Sequence, residues 1–267
     1  MADHVRGSMR DRIFDSVETS KGLRVTKQLV SVILPAFRAA PVVVESIGKI
    51  RSAMKNEKIE IIVVDDGSDD DTSSKARIAG ADQVIELREN RGKGAAVRAG
   101  VAVARGSYVV FTDIDLAYEP SQILNVIHGL DAGADLVIGS RRHSASQEAT
   151  SEGLARKWGS RIFSRLTAVL VPIPHSDTQC GLKGFTSAAA KRIFAQGKID
   201  GFAFDVEVLF VAQKLSMTIS EIPVSLEYVE QSTVKFVPQA IRMLYDVLRI
   251  RTWSILGRYT DSPSKLG

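Results

Sequence analysis

Gly106-Ser107-Tyr108-Val109-Val110-Phe111-Thr112-Asp113-Ile114-Asp115-Leu116 decides how the chain is to be read. Its first half is short, apolar and β-branched, and a glycine opens it. That pattern predicts a buried strand. Two carboxylates follow with one residue between them. In extended chain, residues i and i+2 point the same way, so Asp113 and Asp115 are expected to face one point at the strand's end. Hard anionic oxygens there suit Mg²⁺ or Mn²⁺. Alone, such a pair is also an ordinary strand-end turn, and the rest of the chain must decide.

Upstream, Val30-Ser31-Val32-Ile33-Leu34 predicts a buried strand stopped by Pro35. A helix is expected from Pro41 onward, with Val44, Ile47 and Ile50 at helical spacing. Ile59 to Val64 is a second strand, and it runs into Asp65-Asp66-Gly67-Ser68, a turn followed by a helix cap. Val84 to Leu87 is a third strand, after which Asn90-Arg91-Gly92-Lys93-Gly94 opens a helix through Ala104. Downstream, a helix is expected over 120–130 and a strand over Leu136 to Gly139. Strands alternating with helices predict an α/β fold, a mostly parallel sheet with helices on both faces. Ligands of such sheets lie beyond the carboxyl ends of the strands. The polar clusters at 35–38, 65–68, 90–94, 113–115 and 139–142 all follow strands and are expected on one rim.

The later chain is different. Residues 153–171 predict a basic amphipathic helix with Leu154, Trp158, Ile162, Leu166 and Val169 on one side. A helix near 205–215, a strand near 219–223 and a long tail helix over 237–257 follow. The expected division is a polar segment 1–28, a catalytic unit 29–235 and an amphipathic tail 236–267.

The 267 residues carry a net charge of +4, and the basic groups cluster late. Within 140–170, Arg141, Arg142, Arg156, Lys157, Arg161 and Arg165 face only Glu148 and Glu152. Within 235–267, Lys235, Arg242, Arg249, Arg251, Arg258 and Lys265 face only Asp246 and Asp261. Such surfaces suit an anionic membrane or a phosphate ligand. One cysteine, Cys180, rules out an internal disulfide and fits a reducing cytosol. No apolar run is long enough to span a bilayer. His143, His175 and Cys180 are read as ordinary loop or packing residues.

The motifs have bland and functional readings. Asp65 and Asp66 are either a turn with a cap or acceptors for a base N–H and ribose hydroxyls. Arg91 to Gly94, at a helix start, offers backbone N–H groups and a cation to a phosphate. It matches neither G-x-G-x-x-G nor a P-loop, which disfavours NAD binding and ATP hydrolysis.

Taken together, these landmarks resemble family 2 glycosyltransferases of the GT-A fold. The resemblance rests on Val32-Ile33-Leu34-Pro35-Ala36-Phe37, Asp65-Asp66-Gly67-Ser68, Asn90-Arg91-Gly92-Lys93-Gly94, Asp113-Ile114-Asp115, Gly139-Ser140-Arg141, Asp177-Thr178-Gln179-Cys180-Gly181 and Asp205-Val206-Glu207. It runs over about residues 30–255. The segment from Asp177 to Gly181, with Lys183 and Phe185 after it, is most similar to the dolichyl-phosphate β-glucosyltransferase branch.

The resemblance implies a UDP-sugar donor, UDP-glucose, and a dolichyl or polyprenyl phosphate acceptor. It puts Pro35, Ala36, Phe37, Asp65, Asp66, Ser68, Gly92, Lys93, Asp113 and Ile114 around the nucleotide sugar. Asp113 and Asp115 fall on the metal and diphosphate site, with Lys93 assisting catalysis. Arg141, Arg156 and Ser160 match positions that hold the acceptor phosphate. Asp177, Gln179 and Asp205 are candidates for the acceptor or sugar pocket. The chain departs from the family at Arg38 and Ala39, where Asn then Glu is usual. It departs again at Ala117, where mannosyl enzymes often carry Gln. The implied placement is peripheral on the cytoplasmic face of a membrane, with no nucleic-acid partner. Two other readings stay open: a family 2 transferase with a hydroxyl acceptor and Asp177 or Asp205 as its base, and a membrane-surface adaptor without activity.

Overall fold

The computed structural model describes residues 28–141, 170–171, 173, 177–226 and 236–259. Strand β1 (Val30–Ala36) lies beside β2 (Ile59–Asp65), and β2 beside β3 (Gln83–Glu86), all parallel. On its other side β1 pairs in parallel with β4 (Tyr108–Phe111). Next come β6 (Lys183–Thr186), β5 (Leu136–Ser140) and β7 (Ile219–Pro223). The sheet order is β3-β2-β1-β4-β6-β5-β7. Only β6 runs against its neighbours. The expected mostly parallel α/β sheet is therefore observed.

Two apolar layers cover it. One face packs α1 (Val43–Ala53), α2 (Thr72–Ile78) and α4 (Gln122–Asp131) over Val32, Leu34, Ile61, Val63 and Val110. The other packs α3 (Lys93–Val103), α5 (Ser187–Gln196), α6 (Phe204–Lys214) and α7 (Phe236–Ile255) over Ile33, Ile62, Val64 and Phe111. Neighbouring residues of β1 thus serve opposite layers, as the period of two requires.

Pro35 does not end β1. The strand runs on to Ala36, buried throughout. Odd-numbered residues of β1 face β4, since Thr112 N–H donates to Ile33 O. Even-numbered ones face β2, since Asp66 N–H donates to Ala36 O. Pairing with β4 stops at Ile33, so the N–H that proline lacks has no strand to reach.

Strand β6 and helix α5 were not legible in the sequence pattern. Lys-Gly-Phe-Thr is too short and too polar to read as a strand, and it buries a lysine. The tail helix is present and has two unlike faces. Val247 and Ile250 are fully buried, whereas Ile241, Tyr245, Leu248 and Ile255 stand exposed. Leu244 lies between them, half-buried. Among the described residues, no helix is long and apolar enough to cross a membrane. Of the basic helix expected over 153–171, residues 153–169 lie outside the described residues, as do His143 and His175.

Candidate active site

The sheet order turns at β1, between β2 and β4, and the crevice beyond these strands' carboxyl ends is the natural ligand position. The loops after β1, β2, β3 and β4 meet there. Pro35 and Ala36 are buried inside β1, and only Phe37 reaches the surface, 44% exposed. Arg38 takes a left-handed φ of 51°. Its guanidinium lies 5.2 Å from the Phe37 ring centroid and forks onto Asp69, with both bonds 2.8 Å. Its backbone N–H donates to Ser68 Oγ at 2.8 Å.

Asp65 and Asp66 have different partners. Asp65 accepts from Ser68 N–H at 3.0 Å and from Ser73 Oγ at 2.6 Å. Asp66 accepts from the backbone N–H of Arg91 at 2.9 Å and of Gly92 at 2.7 Å. Each oxygen keeps a second lone pair for a further donor. Burial pushes the Asp66 carboxyl up, against those two amides. The turn at 91–92 is therefore less open to a phosphate than its sequence suggests, because two of its amides are spent on Asp66. Gly92 holds a φ of 114°, and a Cβ there would lie 2.6 Å from Asp200 O. Asp200 also pairs with Arg91 at 2.9 Å and Arg98 at 2.6 Å, bracing the turn. Nothing in the local sequence singles out Asp200; only the fold brings it across from the loop before α6.

Asp113 and Asp115 are not in extended chain. The strand ends at Phe111, and Leu116 N–H donates to Asp113 O at 3.0 Å, closing a tight turn. Leu116 takes a φ of 51° to complete it. Ser46 Oγ ties down the Ile114 carbonyl at 2.5 Å. The two carboxylates are brought together by this turn rather than by strand alternation. Lys93 Nζ, at the start of α3, lies 2.5 Å from Asp113 Oδ1. Burial works to lower the Lys93 pKa, but Asp113, Asp205 and Asp115 outweigh it and hold the ammonium charged. Partial desolvation and the Asp113 charge push the Asp115 carboxyl up. Among the described residues, no three His, Cys, Asp or Glu side chains gather as a metal cage. Two carboxylates with water and diphosphate oxygens still make the kind of shell Mg²⁺ or Mn²⁺ takes.

The remaining predicted residues come from the end of β5, the segment before β6 and the first turn of α6. Arg141, just past β5, forks onto Asp177 at 2.7 and 2.9 Å, and its N–H donates to the same carboxylate at 3.0 Å. Burial alone would raise Asp177, yet Arg141 holds its carboxyl below the usual range. Asp205 is 4% exposed and accepts from Lys183 Nζ at 2.5 Å. Burial pushes it up, with Lys183 and Lys93 opposing. Gln179 Nε2 approaches Met243 Sδ of α7 at 4.0 Å. Cys180 is fully buried, and burial raises its thiol, which fits a packing residue. Arg156 and Ser160 lie outside the described residues.

Comparison with known proteins agrees with this geometry. The profile of glycosyl transferase family 2 matches residues 31–194. The chain is 31% identical over 249 residues to the dolichyl-phosphate beta-glucosyltransferase of Dictyostelium discoideum, covering 85% of this chain and 75% of that protein. It is 34% identical over 255 residues to the dolichyl-phosphate beta-glucosyltransferase of Homo sapiens, covering 88% and 78%. Among solved structures, glucosyl-3-phosphoglycerate synthase from Mycobacterium tuberculosis in complex with uridine-diphosphate superposes with a TM-score of 0.65 at 19% identity, over 93% of this chain and 86% of that one. That likeness speaks to the fold alone, and the fold is GT-A. With the profile covering most of the described sheet and the relatives aligned along most of their length, the chain belongs to glycosyl transferase family 2 and is a glycosyltransferase.

Proposed function

We propose that the chain moves glucose from UDP-glucose to dolichyl phosphate, or a related polyprenyl phosphate, at a membrane surface. The names of its relatives support the acceptor. One structural observation favours it over a hydroxyl acceptor. The two carboxylates that would serve a hydroxyl as general base are both occupied, Asp177 by Arg141 and Asp205 by Lys183. A phosphate monoester needs no base, because its second pKa is near 6 and it is largely ionised at neutral pH.

In this reading an acceptor phosphate oxygen attacks the anomeric carbon. The bond from that carbon to the UDP oxygen breaks, and the configuration inverts. Lys93 meets the charge that develops on the departing diphosphate. Asp113 and Asp115 would hold a divalent cation, Mg²⁺ or Mn²⁺, which when bound neutralises diphosphate charge. Asp65, Asp66 and Ser68 border the nucleoside end, with Phe37 at the rim. Arg141, held in register by Asp177, offers its remaining N–H groups to the acceptor phosphate; Arg156 and Ser160, outside the described residues, match family positions that hold the same phosphate. Residues 29–235 form the catalytic unit and 236–267 its membrane-facing tail, on the cytoplasmic leaflet.

The test is a donor screen against dolichyl phosphate with mass analysis of the extracted lipid. A hexose added from UDP-glucose, released by mild acid, supports the reading. Transfer only to hydroxyl acceptors overturns it.

A further inference from the structure

Lys183, the first residue of β6, has no exposed surface. A lysine is almost never found there unless acceptors and a counter-charge surround it. Its Nζ donates to Cys180 O at 2.6 Å and to Asp205 Oδ1 at 2.5 Å. It lies 5.6 Å from the Phe111 ring centroid, and Lys93 Nζ lies 5.8 Å from the same ring. The Cys180 carbonyl that Lys183 holds belongs to the peptide leading into Gly181. Against Gly181 rests the Asp113 carboxylate: a Cβ at 181 would lie 2.0 Å from Asp113 Oδ2. Lys93 takes the other oxygen, Oδ1, at 2.5 Å. Asp113 is thus set between the backbone at 181 and the Lys93 ammonium. Asp205, in turn, links Lys183 electrostatically to Lys93.

We propose that Gly181 and Lys183 are positioning residues for glycosyl transfer. Gly181 is the seat of the Asp113 carboxylate, and Lys183 fixes that seat through Cys180 O while anchoring Asp205 beside Lys93. The inference rests on the reading of Asp113, Asp115 and Lys93 as the diphosphate site. It gives the stretch from Cys180 to Lys183 a role in aiming the first aspartate, distinct from any contact with acceptor or sugar.

A purely structural ion pair makes a different forecast, since a buried pair can often be exchanged for apolar side chains without loss of stability. Two variants separate the cases. In Gly181→Ala the new methyl displaces only the end of the Asp113 side chain. The backbone at 181 is outside the left-handed region, so the fold is kept. Lys183→Met with Asp205→Leu removes both buried charges together, so neither charge is orphaned, and it takes the ammonium donor away from Cys180 O. UDP affinity is read by calorimetry with Mn²⁺ and with EDTA, alongside kcat, the KM for dolichyl phosphate and the melting temperature. Both variants are expected to melt near the wild type, to lose about a hundredfold in kcat, and to lose the metal-dependent gain in UDP affinity. The KM for dolichyl phosphate should stay unchanged. A folded Gly181→Ala protein with wild-type kcat and UDP affinity overturns the proposal, as does full activity in the double variant. Wild-type protein that binds no UDP overturns the reading of the site itself, and the inference with it.

Discussion

The outer face of α7 makes the most quantitative forecast. Ile241, Leu248 and Ile255 are 66%, 45% and 72% exposed, in one row with Tyr245. Arg242 and Arg251 stand exposed on the row's two flanks. The inner face is anchored independently by Val247 and Ile250, and by Tyr259, whose OH donates to Glu207 at 2.6 Å. A helix that only docked on the domain would need a single apolar stripe. Fully burying an Ile or Leu is worth about 1.5–3 kcal/mol. With roughly half to two-thirds of each side chain still to bury, insertion into a lipid interface gains ~1 kcal/mol per residue. Replacing Ile241, Leu248 and Ile255 by Ser therefore removes ~3 kcal/mol, which is about a hundredfold in partitioning. Each flanking arginine adds about 1 kcal/mol on an anionic surface, and that part fades with salt. The assay is co-sedimentation with vesicles containing anionic lipid, at low and high salt, with the melting temperature as a control on folding. A folded triple variant that partitions like the wild type refutes the reasoning.

Other expectations follow from the site and its supports. Asp115→Asn should lower kcat by about a hundredfold, the scale of losing a main electrostatic stabiliser, and excess EDTA should stop transfer; full activity in EDTA would remove the metal from the account. Because Arg141 depresses the folded-state pKa of Asp177, that carboxylate's share of stability is complete above the ordinary value of about 3.9 and is lost as pH falls toward the depressed one. Acid titration monitored by circular dichroism should thus find Asp177→Asn less stable at neutral pH but flatter across the acid limb. Gly92→Ala should weaken UDP binding and lower the melting temperature, because φ is 114° and the methyl would meet Asp200 O at 2.6 Å; unchanged values by calorimetry and thermal melts would refute this.

Much of the sheet could be read from apolar runs punctuated by glycine and aspartate, because β1, β2, β4 and β5 are buried on both faces and advertise it. The lateral order could not. Strand β6 is antiparallel and wedged between β4 and β5, and its Lys-Gly-Phe-Thr gives no strand pattern. Asp113 and Asp115 stood out as a pair, but the reason for their convergence is a turn closed at Leu116, not an alternating strand. Pairing between distant residues was the least legible feature. Asp66 looked open to ligand yet holds the 91–92 turn, and Asp200, 109 residues after Arg91, was invisible as its partner. The same holds for Asp177 and Asp205, which carried no sign of the cations that occupy them. In the tail, by contrast, the long amphipathic helix over 237–257 was legible, and its regular spacing puts Val247 and Ile250 on one side and the row from Ile241 to Ile255 on another; the structure shows the first side buried and the second exposed.

The central claim is that the attacking group is a phosphate. It is tested most directly by offering UDP-glucose together with dolichyl phosphate or with unphosphorylated dolichol, under the same metal and vesicle conditions, and measuring glucose in the lipid product. Transfer to dolichyl phosphate and none to dolichol is expected, since the two carboxylates that the sequence offers as a base for a hydroxyl, Asp177 and Asp205, are held by Arg141 and Lys183. Comparable transfer to dolichol, or none to dolichyl phosphate, would contradict it.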